Sequence, residues 1–278
     1  LNPNILAIVS TTADSHMYYL EKLINKDVQF IYIEKPLAQS LEDIDSIHSL
    51  FENKNVKVAS GAYTSMIEPV INFSNYQKDY KLGSLCGIHA YGGNNDLSAF
   101  GVHITDLANI LFDSTPDNVI SNIIGTSTNP RGRQFLYLGG TIFFQYPRKK
   151  ELTISYHPNS FVSNRIQLIL RYGMIEFEYQ DQNILKIFSV KDKSKDRPLY
   201  KHQPIELVDE IILTYNWKQY FKSIFNNLIN GNNYPDLKRN LNATIPIIGA
   251  LVCNDMKKLL QFPIDKNNPF YKKKYPIT

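Results

Sequence analysis

The strongest constraint on the fold is an alternation at the start of the chain. Ile5–Val9 is an unbroken apolar run rich in Ile and Val, closed by Ser10-Thr-Thr. It reads as a strand buried on both faces, as in a parallel sheet. Asp14–Lys26 follows, with Met17, Leu20, Leu23 and Ile24 at helical spacing and Asp14 as the expected N-cap. Val28–Ile33 is a second β-rich run. Ser40 opens another helix, with Leu41, Ile44, Ile47, Leu50 and Phe51 on one stripe and Asp43 in the capping-box position. Val56–Ala59 is a third short strand. Strand, helix, strand, helix, strand in this order predicts a parallel α/β sheet with right-handed crossovers.

The pattern changes near residues 60–65. A helix is expected over Ile67–Lys78, a strand over Ser84–Tyr91 and a helix from Leu97 to Phe112. Strands are then expected at Val119–Ile124, Phe135–Tyr146, Glu151–His157, Ile166–Tyr172, Met174–Tyr179 and Ile184–Val190. Tyr146–Lys150 and Gln180–Asn183 have the composition of hairpin turns. Short turns between successive strands imply antiparallel pairing. Two helices close the chain. The first carries Trp217, Tyr220, Phe221, Ile224, Phe225 and Leu228 on one stripe, which reads as core packing. The second runs from Pro235, expected in its first turn, towards Leu260. Lys272–Lys274 reads as a solvated run.

Composition narrows the function. The 278 residues are 43% apolar and 20% charged, ordinary globular values, with a net charge of +4. Twenty-three of the thirty basic residues are Lys, which is not the Arg-containing footprint of a nucleic-acid binder. The longest apolar stretch, around Ile245–Cys253, is far short of the roughly 20 residues a spanning helix needs. Neither a spanning helix nor a signal peptide is expected. Cys86 and Cys253 are the only cysteines, so no C-x-x-C site exists. They read as small buried hydrophobes in a reducing cytoplasm. The chain opens on Leu1 directly into a strand, from which a longer parent is expected.

No G-x-G-x-x-G, Walker A, H-E-x-x-H or G-x-S-x-G is present, so phosphate-loop, metallopeptidase and serine-hydrolase classes lose their usual support. No metal site is expected. Three weaker signals remain. Glu34-Lys35-Pro36-Leu37-Ala38 follows the second strand, at the edge of an open α/β sheet where ligands bind. A Lys there can hold a ribose or a reacting hydroxyl and, if desolvated, relay a proton. A surface lysine in a strand-to-helix turn has the same local signature. Ser10-Thr11, off the first strand, offers small hydroxyl side chains, and His16 begins the next helix; a polar cap reads identically. In Gly101-Val-His103-Ile-Thr-Asp106-Leu, His103 and Asp106 stand at i and i+3 on one helix face, and Gly101 leaves room beside His103 for a ligand. A buried His paired with an Asp fits the same residues.

The order of these signals resembles the glucose–fructose oxidoreductase / inositol dehydrogenase family (Gfo/Idh/MocA). Its hallmark Glu-Lys-Pro stands as Glu34-Lys35-Pro36, its downstream Gly-x-His-x-x-Asp-Leu as Gly101 to Leu107, and its hydroxyl-rich turn with a His as Thr11 to His16. Leu82-Gly83 and the run to Tyr91-Gly92-Gly93 look like its entry into the second sheet. The resemblance implies an α/β fold: a partial Rossmann-type parallel sheet, then an α+β domain with a large, mostly antiparallel open sheet. It places the C-terminal part of a dinucleotide-binding domain at 1–62 and a substrate-binding and oligomerisation domain at 63–278. It implies an NAD or NADP cofactor, with Lys35 and His103 catalytic. Ser10, Thr11, His16, Glu34 and Lys35 would lie along the cofactor, with Asp106 and Tyr63 on the substrate side. The expected substrate is a sugar, nucleotide sugar or cyclitol. A homo-oligomer, most simply a dimer, is expected, since broad sheet faces are costly to leave in water.

Three departures stand against the family pattern. The Asp common four residues before the His is Ala99, with Asp106 as a possible substitute. The Arg pair ahead of Pro69 is Ser65-Met66, and Pro-Asn after the first strand is Thr12-Ala13. Roughly two βαβ units, on the order of 60 residues, are expected ahead of Leu1 to complete a Rossmann domain. The competing expectation is a non-catalytic sugar-binding or scaffolding member of the same fold.

Overall fold

The computed structural model describes residues 5–93, 95–126, 129–178, 184–193, 203–214 and 216–278. Strands β1 (Leu6–Val9), β2 (Phe30–Ile33) and β3 (Lys57–Ser60) form a three-stranded parallel sheet. Helices α1 (His16–Ile24) and α2 (Leu41–Phe51) make the crossovers. Val9, Ile33 and Ser60 lie in register, so the three strands end level and the segments after them share one edge. Ser40 caps α2 by accepting the Asp43 amide at 3.0 Å, as the capping box predicts. Asp14 is no cap: it lies inside a 3-10 turn, and Ser15 occupies the N-cap position of α1.

The expected helix at Ile67–Lys78 is two short ones, α3 (Glu68–Ile71) and α4 (Phe73–Asp79), broken at Asn72. Strand β4 (Leu85–Gly92) and helix α5 (Leu97–Phe112) follow. Strands β5 (Asn118–Thr126), β6 (Leu138–Tyr146), β7 (Lys150–Tyr156), β8 (Arg165–Leu170), β9 (Gly173–Glu178), β10 (Ile184–Val190) and β11 (Ile205–Ile212) come next. Helices α6 (Trp217–Asn230) and α7 (Leu237–Met256) and the short β12 (Leu260–Gln261) end the series. The second sheet has nine strands in the order β11-β10-β9-β8-β4-β7-β6-β5-β12, and its only parallel pair among the described residues is β4 with β7. The mixed α/β architecture, a small parallel sheet and a large mostly antiparallel one, is therefore as expected. The turn expected at Gln180–Asn183 lies outside the described residues.

β11 escapes sequence reading. It is an edge strand with Ile205, Leu207, Val208 and Ile212 all exposed, so no single apolar face marks it. Pro235 stands just before the cap of α7 rather than in its first turn; its carbonyl accepts the Ser60 amide, and Asp236 caps the helix. Cys253 is buried but Cys86 is exposed, because alternate residues of β4 point away from the helices. Lys272, Lys273 and Lys274 stay partly exposed, yet each faces a carboxylate, on Glu42, Asp255 and Asp43. Such surface pairs contribute little in water.

The core sits where α5 and α7 pack on one face of the large sheet. Ile88, Ile142, Phe144, Leu152, Ile154, Ile166, Leu168, Ile175 and Phe177 line it, almost fully buried. Pro246 inside α7 has no amide to give the Asn242 carbonyl one turn back. Asn109 of α5 donates to that carbonyl at 3.0 Å, and Thr105 donates to Ala243 O at 2.7 Å. The proline's lost helix bond thus becomes a staple between the two helices. At the same contact a Cβ on Gly101 would stand 2.8 Å from Ile247 Cδ1. Gly101 lets α5 and α7 approach; the space it leaves is filled by Ile247, not held open for a ligand. No helix among the described residues is long and apolar enough to cross a membrane.

Candidate active site

The level edge of the parallel sheet carries three segments. Ser10 and Thr11 follow β1 with exposed side chains. Gly61 follows Ser60, the last residue of β3, and its amide donates to Ile33 O at 2.8 Å. Between them Glu34 is tied down locally. Tyr32 Oη donates to its Oε1 at 2.6 Å and the Lys35 amide to its Oε2 at 3.2 Å. A Cβ on Gly61 would stand 2.6 Å from Glu34 Oε2, so only glycine lets the carboxylate lie back across β3. That carboxylate is spent on its own turn.

Lys35 is the residue the edge projects. Its Nζ donates to Ala99 O, in the first turn of α5, at 3.2 Å. His103 lies one turn further along the same helix, 3% exposed. Burial pulls the His103 pKa well below 6.5, and the Lys35 charge lowers it further. Lys35 is itself held below its ordinary value of 10.5, chiefly by burial, with Arg131 adding to the depression against Glu34 and Asp96. The Lys35 ammonium thus reaches the helix turn that precedes His103, and its charge acts on that imidazole. Where the resembling family has a carboxylate at position 99, the ammonium here takes the backbone carbonyl of Ala99.

Aromatic rings wall this region. Tyr63 lies 4.7 Å from the His103 ring between centroids and meets Trp217 of α6 edge-on at 5.2 Å. Phe100 meets His103 at 6.0 Å and Tyr156 at 5.8 Å. Phe221 and Phe225 of α6 pack edge-on against Tyr32 at 6.0 and 5.3 Å, so the aromatic stripe of α6 is core packing. Tyr156, at the end of β7, has a buried hydroxyl with no hydrogen-bond partner among the described residues.

Asp106, three residues after His103 on α5, is buried in a network of hydrogen bonds. Its Oδ1 accepts from Arg239 Nε at 2.7 Å, and its Oδ2 from Arg239 Nη2 at 2.9 Å and from the Thr64 amide at 3.2 Å, with the Thr64 hydroxyl also bonded. Burial pushes its pKa up, while Arg239 and Thr64 pull it down. Both oxygens are held in an ion pair that ties α5 to α7. Helical spacing places Asp106 on the face of His103 but says nothing of a guanidinium 133 positions away.

His16 is fully buried, with Nδ1 3.0 Å from Leu37 O and Nε2 3.0 Å from Thr11 O. It bridges the turns after β1 and β2. Burial lowers its pKa, while the two carbonyls and the charges of Glu34 and Asp14 oppose the shift. Arg239, Thr64 and Arg131 were not singled out from sequence. Only Arg239, three residues after the helix-capping Asp236, carried a local mark. A separate groove of about 670 Å³ between α2 and α7, lined by Ile44, His48, Phe51, Leu237 and Leu241, shares none of the residues around Lys35.

No sequence-family profile and no curated protein matches the chain. Solved structures do. An inositol dehydrogenase homologue from Azotobacter vinelandii, solved with NADH and myo-inositol, has a TM-score of 0.67 at 13% identity, covering 92% of this chain and 78% of its own. An oxidoreductase from Agrobacterium radiobacter, solved with NAD+, L-tartaric acid and magnesium, has a TM-score of 0.69 at 12% identity, covering 91% and 79%. The super-repressor mutant of Gal80p from Saccharomyces cerevisiae has a TM-score of 0.70 at 12% identity, covering 92% and 79%. At such identities the likeness is one of fold.

Proposed function

We propose that this chain is an NAD(P)-dependent oxidoreductase of the Gfo/Idh/MocA type, acting in the cytoplasm on a hydroxyl or carbonyl of a sugar, nucleotide sugar or cyclitol. The observation that carries the reading is the meeting of the Lys35 ammonium, from the parallel sheet, with the helix turn that leads to the His103 imidazole. The likeness of fold to structures solved with NADH and NAD+ supports it.

The residues fit one end of a dinucleotide. Exposed Ser10 and Thr11 hydroxyls and the Lys35 ammonium stand along a carboxyl edge of parallel strands, the position from which such sheets bind nucleotides. They suit a ribose and a carboxamide. Glu34 and His16, turned inward, support the two turns rather than facing a ligand. No glycine-rich phosphate turn occurs in the 278 residues. When bound, the nicotinamide supplies or accepts the hydride. The chain's own residues handle the proton and the orientation. Lys35 donates a hydrogen bond to the reacting oxygen, and a neutral His103 takes the hydroxyl proton on oxidation and returns it on reduction. Burial beside a cation keeps that imidazole neutral at pH 7, the state a base requires. Tyr63 and Phe100 shield the pair from water.

One observation favours a second reading. Ala99 supplies a carbonyl but no carboxylate to raise the imidazole's basicity, as a non-catalytic, sugar-binding or scaffolding member would tolerate. Titration of NADH and NADPH into the full-length protein, followed by nicotinamide fluorescence, separates the two: binding of either supports the enzyme, and binding of neither supports the scaffold. Within the enzyme reading, Lys35→Ala and His103→Ala are expected to abolish hydride exchange, and unchanged turnover in both overturns their roles. We also propose a homo-oligomer built on the large sheet, for which a monomer by light scattering at micromolar concentration is the contrary result.

A further inference from the structure

Helix α7 carries two polar side chains, Asn240 and Thr244, each with 0% exposure and one turn apart. Groups so deeply buried persist only when hydrogen-bonded. Their bonds run as a directed relay. Asn240 Nδ2 donates to Glu34 O at 3.4 Å, Thr244 Oγ1 donates to Asn240 Oδ1 at 3.1 Å, and the Leu37 amide donates to Thr244 Oγ1 at 3.2 Å. The two backbone groups at its ends lie on either side of Lys35-Pro36.

Beyond the Glu34 amide, which donates to Val9 O at 2.9 Å, that segment has no sheet partner among the described residues. β2 stops at Ile33, and Pro36 has no amide to offer. The Leu37 carbonyl is occupied by His16 from the opposite side. The backbone bearing Lys35 is therefore held between His16 and α7. The same helix is stapled to α5 through Thr105 and Asn109, and it meets Gly101 through Ile247. One helix thus governs both the turn that projects Lys35 and the helix that carries His103. We propose that Asn240 and Thr244 are positioning residues, a buried relay that aims the Lys35 ammonium at the first turn of α5. Its bearing on catalysis rests on the function proposed above; the aiming itself does not.

The test uses the whole chain without ligand. Lysines are pulse-acetylated with acetic anhydride across a pH series, and the midpoint for each is read by peptide mapping. Lys35 is expected to titrate below the ordinary lysine value of 10.5. Thr244→Val, which keeps shape but breaks the relay, is expected to move the Lys35 midpoint up by about one pH unit as the ammonium returns to water. Thr244→Ser, which restores the hydroxyl, is expected to return it to the wild-type value. Asn240→Ala is expected to shift it in the same direction as Thr244→Val. A Lys35 midpoint unmoved in Thr244→Val, or moved as far in Thr244→Ser, overturns the proposal. Should the disruptive variants not fold, amide exchange at Leu37 in the wild-type chain decides. Protection comparable to the α7 amides supports the relay, and exchange at the rate of a solvated loop refutes it. Failure of NADH and NADPH to bind the full-length protein would remove the oxidoreductase reading while leaving these results unchanged.

Discussion

The ion pair between Asp106 and Arg239 allows a quantitative test. The Asp106 side chain is 1% exposed and that of Arg239 21%, with the carboxylate accepting from Nε at 2.7 Å and Nη2 at 2.9 Å. Replacing Asp106 by Leu strands a guanidinium whose remaining side-chain partners among the described residues are Ser65 Oγ, at 2.5 Å, and the Thr64 hydroxyl, at 3.3 Å. Breaking a buried pair from one side costs about 3–5 kcal/mol, and the residual exposure of Arg239 places the expected loss near the lower end, about 3 kcal/mol. Removing both charges is much milder, because a well-packed apolar pair needs no desolvation compensation. Asp106→Leu with Arg239→Met is therefore expected to recover at least half of the single-mutant loss. Urea unfolding, with the slope compared among variants, measures each corner of the cycle. Additive losses, with no coupling between the two positions, would refute the structural assignment of Asp106. So would an Asp106→Leu chain that keeps wild-type stability but loses ligand binding, because that is the behaviour of a substrate contact.

Other expectations follow from packing and protonation. Gly101→Ala is expected to destabilise by roughly 1–2 kcal/mol despite the better helix propensity of Ala, because the new methyl meets Ile247 Cδ1 at 2.8 Å, and Ile247→Val is expected to relieve it. A Gly101→Ala chain of unchanged or higher stability would restore the ligand-approach reading. Both His103 and His16 have folded-state pKa values below the ordinary 6.5, so the unfolded chain takes up these protons first as pH falls. Their contribution is complete above about pH 6.5 and lost below it, so the urea midpoint is expected to fall on acidification and His103→Gln to flatten part of that slope; a midpoint that rises as pH drops through 6 contradicts this sign. Cys86 is expected to react with a thiol reagent in the native protein and Cys253 only after unfolding, which a timed thiol titration with peptide mapping distinguishes.

Local pattern was sufficient for much of this molecule. The apolar runs around β1, β2 and β3, the Ser40 cap and the full extent of α5 are written in short-range periodicity, because burial of a strand or helix face imposes a repeat that survives without knowledge of the partner. The same periodicity placed Glu34-Lys35-Pro36 after β2 and His103 within α5, while the roles expected of them came from the family resemblance. What periodicity cannot encode is which distant group a buried side chain meets. The sheet topology brought Lys35 to Ala99, 64 positions away, and Asp106 to Arg239. It also turned Gly101 from a ligand gap into a helix contact, and laid α6 and α7 back over strands laid down near the start of the chain. The face a residue occupies is a local property, whereas the identity of its hydrogen-bond partner depends on loop closures between segments more than a hundred residues apart, and only the assembled tertiary structure selects among them.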